Sequence, residues 1–264
     1  MESKERGDVK SAWKSDIGKV RRRNEDFILA DDERGIFLLA DGMGGHPGGD
    51  VASALAVGSA HEFLVARGGE TGDDGVSFLL AEALAAAHSA VARRGIEEPD
   101  LEGLGTTLDI VYLGRGSAWL CHVGDSRVYI FRRGELLQVT EDDNLASLLA
   151  RQGVPPAEIP PHARHVLTQA VGVSDELLPE IRRLEVEEDS ILLMCSDGLT
   201  GMVPDDIIAQ IVRDRRNGLQ GIANRIVAEA ISRGGYDNVS VILIDPEFRR
   251  PPGESLLLPG RRNN

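Results

Sequence analysis

The sequence predicts an α+β domain built in layers. Three observations point there. Strand-like apolar runs come mostly as hairpins, helix-like stretches come mostly in pairs, and no internal repeat is visible. A parallel doubly wound sheet would alternate single strands with single helices instead.

The elements follow in order. MESKERGDVK is polar and is expected to fray. Phe27–Ala30 and Ile36–Ala40 are apolar runs split by Asp31-Asp32-Glu33-Arg34-Gly35, a hairpin signal that leaves Asp41 at the exit of the second strand. From Gly49 to Arg67 the pattern turns helical, with Ala52, Leu55, Ala56, Ser59 and Phe63 at three-four spacing and Gly68-Gly69 as a stop. A second helix over Val76–Arg94 puts Leu80, Ala83, Leu84, Ala87 and Val91 on one side, so an antiparallel helix pair is expected. Thr106–Leu113, Ala118–Val123, Val128–Phe131 and Leu136–Val139 are separated only by turn residues, which predicts an antiparallel meander. Leu145–Arg151 is an expected helix, and Gly153–His162, with four prolines, an expected loop or lid. Ile181–Val186 and Ile191–Cys195 suggest another hairpin, Asp205–Val212 and Leu219–Ser232 two more helices, and Val239–Ile244 a last strand. The folded domain is therefore expected over 11–246, between disordered tails at 1–10 and 247–264.

Composition narrows the function. A length of 264 residues suits one large domain or two small ones. With 42 % hydrophobic and only 4 % aromatic residues, the core must be mostly Leu, Ile, Val and Ala. A net charge of −14 argues against nucleic acid as a partner, because that requires a basic face. It also repels phosphoprotein surfaces and anionic membranes, unless metal ions or local arginines reverse the sign. Cys121 and Cys195 sit inside apolar runs, as buried free thiols of a reducing compartment would. The N-terminus lacks a signal core, and no apolar run approaches the ~20 residues of a spanning helix. A soluble, cytoplasmic chain is expected, and nothing demands more than a monomer.

The chemistry is expected in the carboxylates. Asp41, Asp125, Asp197 and Asp237 stand at turn-flanked ends of separate apolar runs, in LLADGMGGH, HVGDSR, LMCSDGL and GGYDNVSV, and RRRNEDF adds Glu25 and Asp26. A carboxylate at the tip of a buried strand is costly unless it is paired or bound to a cation. Several together suggest one shared site for hard ions such as Mg²⁺ or Mn²⁺, which oxygen donors suit. Histidines and cysteines are too few and too scattered for zinc. The glycine run from Gly42 opens a helix, but Pro47 replaces the third Gly of a dinucleotide loop and no Lys-Ser/Thr ending marks a P-loop. Each feature alone is ordinary: Asp-Gly and Asp-Asn are turn dipeptides, and Arg21-Arg22-Arg23 is a solvated basic patch. Their joint occurrence carries the weight.

In order, the segments VRRRNEDF, FLLADGMGGHPGGDVAS, GTTLDIVYL, CHVGDSRVYIFRRGEL, LTQAVG, LLMCSDGL and GYDNVSVILI run from Val20 to Ile244, within a match that extends over roughly Ser15 to Ile244. Through them the chain resembles the metal-dependent protein serine/threonine phosphatases of the protein phosphatase 2C class, in their compact bacterial form. The resemblance implies a four-layer α-β-β-α sandwich, two antiparallel sheets flanked by helix pairs. It implies two core Mn²⁺ or Mg²⁺ ions, with Asp41 bridging both, the Gly42 carbonyl and (through water) Glu25 on one, and Asp197 and Asp237 on the other. Asp26 would stand in the outer shell or hold bound waters, and Asp125 would bind a third, weaker ion together with Asp197. Arg21, four residues before Glu25, would grip the phosphate, and a metal-bridging hydroxide would attack phosphorus without a phosphoenzyme. Cys195 lacks the basic loop that would activate a thiolate. The implied partners are phosphorylated proteins and an opposing serine/threonine kinase.

Two departures stand out. Asp143 occupies the place where relatives often carry a His, and Met43 follows Asp41-Gly42 where some carry a His proposed as general acid. That leaves His46 or a metal-bound water for the proton. The alternative to catalysis is a phosphatase-like, partner-binding module, which a missing metal ligand would favour; none is missing. A nuclease is opposed by the net charge.

Overall fold

Ten strands form two five-stranded antiparallel sheets in the computed structural model, which describes residues 10–43, 48–68, 73–114, 117–187 and 189–246. They are β1 (Lys10–Asp16), β2 (Asp26–Asp31), β3 (Ile36–Asp41), β4 (Leu108–Leu113), β5 (Ala118–Val123), β6 (Arg127–Arg132), β7 (Glu135–Gln138), β8 (Glu180–Leu184), β9 (Ile191–Cys195) and β10 (Val239–Asp245). One sheet runs β1-β10-β9-β6-β7, the other β2-β3-β4-β5-β8.

Side-chain alternation explains the layering. In β3, Phe37 and Leu39 point between the sheets, where they meet Val128, Ile130, Leu192, Met194, Ile242 and Ile244 of the other sheet. Ile36, Leu38 and Ala40 point the opposite way, into helices α1 (Gly49–Arg67) and α2 (Asp73–Glu97). On the far side, Leu193, Cys195, Val241 and Leu243 pack beneath α5 (Asp205–Arg213) and α6 (Gly218–Ser232). The result is the expected order helix pair, sheet, sheet, helix pair. A seven-residue helix, α3 (Leu145–Arg151), opens the segment that leads to β8; its N-cap Asn144 accepts from the Ser147 N–H. A single turn, α4 (Asp197–Thr200), follows β9.

Several expectations need correction. The meander does not stay in one sheet: β4 pairs with β5, but β6 pairs with β7 and β9 in the other sheet. Both β5 and β6 are apolar on both faces. Such strands bury more by stacking sheet on sheet than by lying side by side over solvent. β8 and β9 do not form a hairpin either: β9, buried along its whole length, lies between β6 and β10, whereas the charged β8 lies at the edge beside β5. β1 went unpredicted because it is a polar edge strand, KSAWKSD, held by seven register pairs to β10. In α1 the buried face is Ala52, Ser53, Ala56, Val57, Ala60 and Leu64; Leu55, Ser59 and Phe63 are only half-buried. By length and composition alone α2 is apolar enough to cross a membrane, contrary to expectation. Its apolar side, Leu80, Ala83, Leu84, Ala87 and Val91, is buried against the sheet. The expected tail at 247–264, residues 1–9 of the one expected at 1–10, and His46 lie outside the described residues, while Lys10 belongs to β1 and not to a tail.

Candidate metal centre

Antiparallel order brings six strand ends to one edge of the sandwich. β3, β5 and β9 finish there, and β2, β6 and β10 begin there, as the pairings Asp26↔Asp41, Arg127↔Cys195 and Val241↔Cys195 record. Asp26 starts β2 directly opposite Asp41 at the end of β3. Asp125 lies in the crossover from β5 to β6, Asp197 just after β9, and Asp237 just before β10.

The carboxylates feel one another. Burial, then Asp26, Asp197, Asp125 and Asp237 in turn, push the Asp41 carboxyl well above its ordinary pKa. Burial lifts Asp26 to about 7, against hydrogen bonds from Ser240 and Ser196, with Asp197 and Asp237 adding to the rise. Asp125 goes up to about 8 through burial and the charges of Asp197 and Asp142. Asp197 is raised by burial and by Asp237, and is relieved by His165, by a hydrogen bond with Asp41 and by Arg21. Glu25 is raised chiefly by burial, which outweighs Arg21.

The backbone around Asp41 is tied in place. Its N–H donates to Thr107 Oγ1 at 2.9 Å, and its carbonyl accepts from the Thr106 hydroxyl at 2.8 Å and the Thr107 N–H at 2.9 Å. Gly42 donates to the Glu25 carbonyl at 3.0 Å, and a Cβ at Gly42 would collide with the Gly49 carbonyl at the start of α1. Gly198 likewise lies against the Asn238 carbonyl, where no side chain fits. Ser196 Oγ donates to Asp26 Oδ2 at 2.8 Å, whereas Asp26 Oδ1 is buried with no hydrogen-bond partner.

Arg21 lies across the open side. Its Nη2 donates to Asp237 Oδ2 at 2.8 Å and its Nη1 reaches Glu25 Oε2 at 3.4 Å, with 34 % of the side chain exposed. Asn238 holds this loop: its Oδ1 accepts from the Glu25 N–H at 2.9 Å, and its Nδ2 donates to the carbonyls of Ile17 at 3.0 Å and Arg23 at 2.9 Å. Asp143, where relatives often have His, braces the crossover: its Oδ2 accepts from the Gly124 N–H at 3.0 Å, and its own N–H donates to the Gly124 carbonyl at 2.7 Å.

Among the described residues, no three His, Cys, Asp or Glu side chains close on a single point as a metal cage would. The donor set still fits hard divalent cations. Such ions keep several waters and take only one or two carboxylates each. Four buried or half-buried Asp side chains raised by burial and neighbouring carboxylates, one carboxylate oxygen without a partner among the described residues, and no thiolate or imidazole among them match oxygen-ligand chemistry.

Sequence reasoning missed several residues that build this edge. Thr106, Thr107, Ser196 and Asn238 all stand in or beside the quoted segments, but nothing in the pattern states what they hold. Asp109 and His122, lone polar residues in apolar strands, are register partners, with Oδ1 and Nδ1 2.6 Å apart. His122 Nε2 lies 3.0 Å from the Glu141 carbonyl, so this histidine belongs to the core, paired with Asp109. Both cysteines are fully buried, which pushes their thiols up, out of nucleophilic range.

This architecture and site define a two-sheet phosphatase-type domain with a carboxylate centre. The family described as protein phosphatase 2C matches residues 19–226, and the chain belongs to that family. The domain is thus a protein serine/threonine phosphatase domain. The chain is 37 % identical over 238 residues to the serine/threonine protein phosphatase PstP of Mycobacterium tuberculosis, covering 90 % of this chain but 45 % of that protein. It therefore spans about half the length of that relative. A serine/threonine phosphatase Stp of Listeria welshimeri is 32 % identical over 88 % of this chain and 94 % of its own length. The crystal structure of a PstP catalytic domain in complex with two manganese ions superposes with a TM-score of 0.78 at 36 % identity, covering 90 % of this chain and 98 % of that one.

Proposed function

We propose that the chain hydrolyses phosphoserine and phosphothreonine in proteins in a Mn²⁺- or Mg²⁺-dependent reaction, reversing serine/threonine kinase action. One observation carries this reading. Asp26, Asp41, Asp125, Asp197 and Asp237 come from five strand ends to one edge, where burial and the other four push the Asp41 carboxyl up, with Arg21 bonded to Asp237 at the open side.

Asp41, which feels Asp26, Asp125, Asp197 and Asp237 around it, would serve both core ions. The Gly42 carbonyl and, through water, Glu25 would hold one ion, Asp197 and Asp237 the other, and Asp26 would hold bound waters through its Oδ1, which has no partner among the described residues. Asp125 and Asp197 would hold a third, weaker ion. Bound there, divalent cations supply a water acidic enough to ionise near neutral pH and positive charge for the phosphoryl oxygens. The chain's own part is to hold the phosphate. The planar fork of Arg21, already extended toward the carboxylates, takes two phosphate oxygens and leaves the seryl or threonyl oxygen facing outward. Thr106, Thr107 and Asn238 keep Asp41 and Arg21 in position, so little reorganises on binding.

Turnover of a phosphoserine or phosphothreonine peptide and of p-nitrophenyl phosphate should need Mn²⁺ or Mg²⁺, stop on chelation and return when the ion is restored. A partner-binding module would instead show no turnover in clean protein and poor Mn²⁺ binding by calorimetry.

A further inference from the structure

The stretch Lys19-Val20-Arg21-Arg22-Arg23 puts four cations into five residues of a chain whose net charge is −14. Only Arg21 turns in to the carboxylates. Lys19 and Arg22 are exposed, and among the described residues neither forms an ion pair. Arg23 stands 3.7 Å from Asp50 with 73 % of its side chain exposed, a surface pair of little strength.

The loop that carries these charges is pinned. Asn238 bonds Ile17, Arg23 and Glu25, Lys19 donates its N–H to the Gly235 carbonyl at 2.8 Å, and Gly18 donates to Asp16 Oδ1 at 2.9 Å. Gly18 has φ +77° with the Asp237 carbonyl against it, so the turn admits no side chain there. An anchored backbone therefore carries three exposed cations within two residues of the phosphate-gripping Arg21. The floor of the site is acidic and its rim, on this side, is basic. A chain of −14 repels acidic segments at a distance, and a fixed basic rim reverses that sign within about 10 Å, the reach of an exposed charge at 0.1 M salt.

We propose that Lys19, Arg22 and Arg23 form a docking rim for acidic substrate segments, in which Asp or Glu residues lie next to the phosphorylated Ser or Thr. The proposal rests on the phosphatase reading above and names the substrate class for the same site. Segments with Lys or Arg in those places meet the rim with like charge and are disfavoured.

Three phosphopeptides of equal length, flanked by Glu, Gln or Lys, compare these cases with the full chain in saturating Mn²⁺. At about 20 mM salt, kcat/KM should fall from Glu to Gln to Lys, with about a tenfold spread, and the spread should shrink at about 500 mM salt. The Lys19→Gln, Arg22→Gln, Arg23→Gln triple variant should bring the three peptides to within about twofold of each other. Its turnover of p-nitrophenyl phosphate, which carries no flanking residues, should stay at the parent rate and so report an intact centre. Should the triple variant lose that turnover, the single variants Lys19→Gln and Arg22→Gln each replace it, with a smaller spread expected. A parent indifferent to the flanks, or a variant that keeps the full preference, overturns the rim. Absence of turnover on every substrate overturns the phosphatase reading itself, and the rim with it.

Discussion

Asn238→Ala tests whether one buried amide sets the geometry of the phosphate grip. Asn238 is 2 % exposed, and its side chain makes three hydrogen bonds to the loop that carries Arg21 and Glu25. Truncation strands one N–H and two carbonyls. Each net bond is worth about 0.5–1.5 kcal/mol, and water reaches the outer face of this loop, so a total cost of about 2–4 kcal/mol follows. Thermal unfolding should move down by several degrees. Arg21 also loses the backbone that aims it, so KM for a phosphopeptide should rise about tenfold, or about 1.4 kcal/mol, with a smaller change in kcat. Asn238→Asp keeps the acceptor, loses both donors and sets a charge beside Asp237; it should do no better than Ala. The decisive measurement is a double-mutant cycle. Arg21→Ala alone should raise KM, and adding Asn238→Ala to it should change KM little, because both act through the same guanidinium. If Asn238→Ala has its full effect on KM in the Arg21→Ala background, the amide supports the fold and does not position Arg21.

Three further outcomes follow from the same geometry. In the presence of a chelator, Asp41→Asn should raise the thermal midpoint by removing a buried charge that faces four others, while abolishing turnover and the Mn²⁺-induced gain in stability. The parent at a hundredfold excess of Mn²⁺ over Kd should gain about 2.7 kcal/mol, and a chelator-treated Asp41→Asn less stable than its parent would contradict the repulsion. Asp125→Ala should leave folding and the two-ion core largely intact and slow turnover on phosphoprotein; a variant as fast as the parent on every substrate would remove the third position. Finally, although burial alone would lower it, Asp109, then Asp143 and the Glu141 carbonyl, raise His122 to about 9. A raised histidine stabilises fully below its unfolded pKa of about 6.5 and loses that contribution as pH climbs through 9, at up to about 1.4 kcal/mol per pH unit. Denaturant midpoints in saturating Mg²⁺ should therefore fall between pH 7 and 9, and the His122→Gln, Asp109→Asn variant should lose that slope.

Much of the site was legible along the chain. A charged residue where an apolar run meets a turn is a local signal, and Asp41, Asp125, Asp197 and Asp237 each carry it. Helix boundaries were equally local: Gly49–Arg67 and Leu145–Arg151 are the spans that periodicity marks. Asn238 was not readable in this way, since its partners Ile17, Arg23 and Glu25 lie more than 200 positions away. Nor was the sequestered Asp109–His122 pair, which needs the β4–β5 register to bring its members together.

Local pattern alone gives most strands and helices their approximate extents and sets acidic groups at the strand tips. Those properties depend on neighbours within a few positions. Long-range packing assigns β5 and β6 to different sheets, sets β1 at an edge, and brings Arg21 to Asp237 across 216 positions. A strand apolar on both faces is satisfied by any apolar partner, so its local pattern leaves the choice open. Packing two sheets face to face removes the most apolar surface from water, and that choice then draws the strand tips, with their carboxylates, to one edge.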